Sequence, residues 1–193
     1  MDERWIPEEY KQGMHDVLGL YGSAFVECIK DILTTIPEHA RVLDVGCAGG
    51  KWGAMMALLR CNVTLVDKDP NMLIRAAKNF PYLNMNLEAT SVLDMKGIPN
   101  NQSLVISDGL VEHFLDKETR LKVIKNMYSK ILTGYVIYTI PIMSGAVDEH
   151  QYADMKEIHD EAIEALGNVK ARISSVIFED GRLWAVAVVA KGL

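Results

Sequence analysis

Two apolar rhythms alternate along this chain. Short, β-branched apolar runs recur, separated by stretches whose apolar residues fall at helical spacing. RVLDVG (41–46), NVTLVD (62–67), SLVIS (103–107) and YVIYTI (135–140) read as buried strands, and 83–88 reads as a strand with weaker alternation. Between them, 51–60 and 70–79 read as helices. So does 117–131, where Leu121, Ile124, Tyr128 and Ile131 share one face. Asp69-Pro70 is a start signal, with the acid as N-cap and proline at the first helical position. Residues 7–35 also read as helix, begun by Pro7 and stopped before Pro37, with Gly13, Gly19 and Gly22 marking a bend. An acidic helix is expected over 148–166. The chain then closes with two long strands, 169–178 and 182–190. Glu179-Asp180-Gly181-Arg182 joins them as a hairpin turn.

Strands alternating with helices imply a parallel sheet built from right-handed crossovers, and the closing hairpin makes the last strand antiparallel to its neighbour. The expected fold is α/β, a Rossmann-like three-layer sandwich. Its seven-stranded sheet is mostly parallel and ends in a C-terminal antiparallel β-hairpin. No repeat, low-complexity stretch or Pro/Ser-rich linker divides the 193 residues. One domain is expected over 1–193, with 1–37 as a helical cap or lid and 38–193 as the core.

Composition narrows the class. Apolar residues make up 49% and charged residues 24%, an ordinary globular balance. No apolar run approaches the roughly 20 residues of a membrane span, and the acidic start MDERWIPEEY lacks the pattern of a secretory signal. Cys28, Cys47 and Cys61 are odd in number and form no CxxC pair, which argues against a disulfide framework or a zinc site. A cytoplasmic location is expected. The net charge of −6 argues against a phosphate-reading surface. A basic cluster at Lys117, Arg120, Lys122, Lys125 and Lys130 keeps a nucleic-acid reading open beside the simpler one of a solvated helix face.

The chemistry gathers where the first strand ends. Asp44 is followed by Gly46, Cys47, Ala48, Gly49 and Gly50 before a helix opens at Lys51. In an open parallel sheet, ligands sit at the carboxyl ends of the strands near the switch point. Glycines let the backbone turn sharply and let a ligand approach it, and the free N–H groups of the helix start suit an anionic group. Asp67 closes the second strand, where a carboxylate can accept both hydroxyls of a ribose. The loop is therefore shaped for a nucleoside-bearing cofactor.

The run Asp44-Val-Gly46-Cys-Ala48-Gly49-Gly50 resembles motif I of the class I S-adenosylmethionine-dependent methyltransferases, D-x-G-x-G-x-G, with Ala48 in place of the middle glycine. VTLVDKDPNMLIRAAK (63–78) resembles the second motif of that family, SVLDM (91–95) its adenine-edge segment, and SDGLVEHF (107–114) the segment after strand four in its small-molecule, ubiquinone- and menaquinone-type branch. The resemblance implies S-adenosylmethionine as cofactor and S-adenosylhomocysteine as product. It implies Asp44, Gly46, Cys47, Ala48 and Gly50 in the loop, Asp67 on the ribose with Lys68 beside it, and Met72 against the adenine. Ser91 and Val92 would serve the adenine edge, with Asp108 and Gly109 completing the cofactor side. DEHQY (148–152) resembles the branch's His-plus-aromatic pattern after strand five.

His113 is the candidate catalytic base, since its pKa suits proton removal near neutrality. The competing reading has it bonding Glu112 or backbone and only shaping the pocket. Tyr21, His113, Tyr138, His150 and Tyr152 are the candidate substrate-binding residues, and no metal is expected. Some acceptor chemistries would leave marks that this chain lacks: a Pro-Pro-aromatic stretch after strand four, a cysteine nucleophile near proline, or paired lysines after strand five. These absences favour methyl transfer to an O or N of a small molecule. RNA or protein methylation, a non-catalytic cofactor-binding partner subunit and a nicotinamide enzyme stand as alternatives.

Overall fold

The computed structural model describes residues 20–142, 155–177 and 183–192, with the side chains of 20–24, 176 and 177 outside that description. The strands are β1 Arg41–Val45, β2 Asn62–Asp67, β3 Asn86–Ala89, β4 Gln102–Ser107, β5 Ile131–Ile142, β6 Lys170–Ile177 and β7 Leu183–Lys191. The helices are α1 Leu20–Leu33, α2 Lys51–Leu58, α3 Pro70–Asn79, α4 Lys117–Ser129 and α5 Met155–Leu166. The strands form one sheet in the order β3-β2-β1-β4-β5-β7-β6. β1 to β5 pair in parallel, and β7 runs antiparallel to both β5 and β6. This is the expected Rossmann-like sandwich, with its switch point between β1 and β4.

Each face of the sheet is covered, so the central strands are apolar on both sides and read as continuous runs. On one face Val42, Leu65, Leu104 and Ile137 pack under α1, α2 and α3, through Phe25, Ile29, Trp52, Met56 and Leu73. On the other, Leu43, Val66, Val105 and Val136 pack under α4 and α5, through Val123, Met127, Ile158 and Ala162. Asp69 caps α3 as its sequence implies, its side chain accepting the Asn71 N–H with Pro70 next in the first turn. No helix among the described residues is long and apolar enough to cross a membrane.

Two elements depart from expectation. β5 is longer than 135–140, because β7 pairs with it continuously from Gly134 to Ile142. β3 is a short, fully exposed edge strand starting at Asn86 rather than 83. Leu83 and Met85 are drawn instead against the core beneath α3. The hairpin turn at 179–182 and the start of the acidic helix at 148–154 lie outside the described residues, as do residues 1–19 of the cap expected over 1–37.

Candidate functional site

The loop after β1 folds back onto the end of β2. The N–H groups of Gly46 and Cys47 both donate to the Val66 carbonyl, at 2.8 and 3.1 Å. That reversal demands left-handed backbone, and Gly46, Ala48 and Gly50 have φ of 69°, 44° and 77°. Ala48 thus holds a glycine-type conformation with a Cβ attached. Its N–H donates to Asp67 Oδ2 at 3.1 Å, and Asp67 Oδ1 accepts the Asp69 N–H at 2.9 Å. A carboxylate has about four lone-pair sites. Each oxygen of the half-buried Asp67 therefore keeps one for an outside donor.

Asp44 is only 2% exposed. Its Oδ2 accepts the Gly53 N–H at 2.8 Å, which fastens the first turn of α2 to the end of β1. Burial first, then the charges of Asp108 and Asp67, push its carboxyl up to about 7. So Asp44 orients the loop from beneath. The Cys47 thiol is buried as well, and burial with the neighbouring Asp44 and Asp67 drives its pKa upward, which makes it inert as a nucleophile.

Across the switch point, α2 meets the end of β4. Trp52 Nε1 donates to Asp108 Oδ2 at 2.8 Å, Thr139 Oγ1 donates to Asp108 Oδ1 at 2.5 Å, and the Gly109 N–H donates to Thr139 Oγ1 at 2.9 Å. The Trp52 ring rests on Phe25 of α1, with centroids 4.3 Å apart, and the buried Lys51 places its Nζ 4.4 Å from the same ring's centroid. A single 3-10 turn, Val111–His113, follows. It turns Glu112 inward and His113 outward. Burial and the Asp108 charge push the Glu112 carboxyl up to about 8.

The structure therefore brings Asp44, Gly46, Cys47, Ala48, Gly50 and Asp67 to one rim, with Asp108 and Gly109 facing them from β4. Lys68 is exposed beside Asp67 and Met72 is half-buried on α3. Ser91 opens a tight turn: its Oγ accepts the Leu93 N–H at 3.2 Å and its carbonyl the Asp94 N–H at 2.9 Å. Val92 is buried, and its carbonyl accepts Asn126 Nδ2 at 2.8 Å. Tyr138 is not at the mouth as expected. It is fully buried with Val136 and Ile140 on the α5 side, because the alternation of β5 puts all three on that face. His150, Tyr152 and the side chain of Tyr21 lie outside the described residues.

Trp52 and Thr139 belong to the site and were not anticipated. The polar Thr139 inside YVIYTI, near the strand's carboxyl end, is the signal that could have found one of them.

Residues 42–133 match the family model described as "Methyltransferase domain". No curated protein matches the sequence. Among solved structures, the chain is similar to a possible exported protein of Bordetella parapertussis. That similarity has 11% identity and a TM-score of 0.74, covering 90% of this chain and 68% of that one. It is similar to a TehB-like SAM-dependent methyltransferase of Corynebacterium glutamicum, at 19% identity and TM-score 0.66, covering 89% and 88%. It is also similar to the N-methyltransferase NodS of Bradyrhizobium japonicum, solved with S-adenosylhomocysteine, at 17% identity and TM-score 0.69, covering 91% of each chain.

Proposed function

We propose that this chain is a class I S-adenosylmethionine-dependent methyltransferase that transfers a methyl group to an O or N atom of a small molecule, a reading supported by the match of residues 42–133 to a methyltransferase domain. S-adenosylmethionine is the cofactor. The observation that carries the reading is the Asp67 carboxylate, which closes β2 and braces the left-handed loop through Ala48 while keeping acceptor capacity outward.

The site fits that cofactor. Asp67 would take the ribose hydroxyls, the 46–50 loop would admit the rest of the molecule at contact distance, and Met72 with the 91–94 turn would border the base. When bound, the cofactor supplies an already activated methyl group on a sulfonium. The protein's own task is then proximity, orientation and exclusion of water. Asp44 serves orientation by pinning α2 to β1, and the Trp52–Asp108–Thr139 set fixes the backbone after β4 where an acceptor would lie. His113, exposed on the 3-10 turn, stays a candidate base.

The docking of RNA on α4 is disfavoured by what α4 already does. Lys117 pairs with Glu164 at 2.6 Å, Arg120 pairs with Glu161 at 2.6 Å, and Lys130 is buried on the Ile98 carbonyl at 3.1 Å. Three of the five basic residues are thus committed to the fold, which supports a small acceptor.

The test is calorimetric titration with S-adenosylhomocysteine. Asp67→Ala removes the ribose acceptor and strands the Ala48 and Asp69 N–H groups, so affinity should fall by about 1–3 kcal/mol. Unchanged affinity would show that the cofactor does not sit on Asp67.

A further inference from the structure

One carboxylate in the site has an oxygen with nothing to bind. Glu112 is 6% exposed, and its buried Oε2 has no hydrogen-bond partner among the described residues. Gly109 makes room for it. That residue has φ of 65°, and a Cβ there would stand 3.2 Å from Glu112 Oε1 and 3.9 Å from the edge of the Trp184 ring. Asp108, adjacent to Gly109, is the charge that Glu112 feels. Its own two oxygens are held by Trp52 and Thr139.

This lining has a chemical preference. The Asp108 carboxylate, with the Glu112 carboxyl beside it, disfavours an acceptor that carries a carboxylate, phosphate or phenolate, because such a group adds a like charge in a dry place. An ammonium group has the opposite fit. It brings positive charge and several N–H donors to the two carboxyl groups. A neutral hydroxyl donates only one hydrogen bond there and brings no charge to offset that of Asp108.

We propose that the methyl acceptor is a small primary or secondary amine, bound as its ammonium ion by Glu112 and Asp108, with Glu112 taking its proton. The proposal rests on the small-molecule reading above and narrows the acceptor atom to nitrogen. The proton step balances simply. An ammonium nitrogen has no lone pair. Moving one proton from it to Glu112 Oε2 leaves a neutral amine and a carboxylic acid, and frees the electron pair that a new N–C bond needs. The step starts from the ionised carboxylate, which burial makes a stronger base than an ordinary glutamate and so a competent receiver.

The experiment uses the full chain saturated with S-adenosylhomocysteine. Propyl, benzyl and phenethyl skeletons, each as amine, alcohol and carboxylate, are titrated calorimetrically. In at least one skeleton the amine should bind at least tenfold more tightly than its alcohol and its carboxylate. Glu112→Gln should cut that preference below threefold, Glu112→Asp should keep most of it, and Asp108→Asn should reduce it at least threefold. A preference that is absent in every skeleton, or one that survives in Glu112→Gln, overturns the proposal. Wild-type protein that fails to bind S-adenosylhomocysteine would instead refute the methyltransferase reading. Cofactor binding without amine preference refutes only the amine.

Discussion

Ala48 and Gly50 sit two residues apart in the same loop, both in left-handed backbone, and exchanging their side chains should have opposite consequences. Ala48 has φ of 44°, its side chain exposed to solvent. A Cβ in that region costs about 1–2 kcal/mol. Replacing it with glycine removes this strain but adds about 0.5–1 kcal/mol of unfolded-state entropy. Ala48→Gly should therefore stabilise the fold by about 0.5 kcal/mol, raising Tm by about 1–2 °C for a chain of this size. Gly50 has φ of 77°, and a Cβ there would lie 2.7 Å from Ala76 Cβ and 3.2 Å from Leu65 Cδ1. Gly50→Ala takes on the same left-handed strain plus an overpacking cost of about 1–3 kcal/mol, because α3 cannot yield without leaving β2. The smaller unfolded-state entropy returns about 0.5–1 kcal/mol, so the net loss should be about 2–4 kcal/mol. Urea unfolding followed by circular dichroism measures both changes, provided the m-values agree. If Ala48→Gly destabilises by more than about 0.5 kcal/mol, or Gly50→Ala costs less than about 1, the loop is not built as described.

Two further outcomes concern the acids. The Glu112 carboxyl is raised from 4.5 to about 8 and that of Asp44 from 3.8 to about 7, so the folded state holds both protons more tightly than the unfolded chain does. That advantage is complete below the unfolded pKa values and is lost as pH rises through about 7–8. Between pH 5 and pH 8.5, the stability difference between Glu112→Gln and wild type should move by a few kcal/mol in favour of glutamine, as read from paired urea curves; a pH-independent difference rejects the burial argument. Arg120 clamps α4 to α5 through Glu161, with Nη2 at 2.6 Å and Nε at 3.2 Å, and its Nη1 also donates to the Leu115 carbonyl at 2.8 Å. Arg120→Met leaves a buried acid without its cation and should cost about 3–5 kcal/mol. Lys117→Ala, at an exposed pair, should cost less than about 1. Similar losses for the two would mean that burial of the Arg120 pair does not matter.

What could be read in advance follows the range over which each feature is determined. The Asp69 cap, the glycine-rich reversal and the apolar central strands are set by neighbours within a few positions, and each appears as written. Features decided by parity or by distant contact were not legible. Tyr138 shares its parity with Val136 and Ile140, but both faces of this sheet are covered by helices. Alternation alone therefore cannot say which parity looks toward the ligand side. The contact of Trp52 with Asp108 spans 56 positions, and that of Thr139 with Asp108 spans 31. Only the β1–β4 adjacency at the switch point brings them together.

The Glu112–His113 pair shows why that difference matters for chemistry. In the sequence the two are equivalent neighbours, and the histidine draws attention because its ordinary pKa suits proton transfer. The 3-10 turn reverses their standing. It exposes His113 to solvent, and it puts Glu112 in a dry position beside another carboxylate. Burial can move an acid by several pH units, and it pushes the Glu112 carboxyl up to about 8. That shift is created by burial and by the neighbouring Asp108, and no local motif encodes it. The same reasoning ranks the two variants in an activity assay. Glu112→Gln should lower kcat/KM for an amine acceptor by more than His113→Gln does, and the reverse order would return the base to His113.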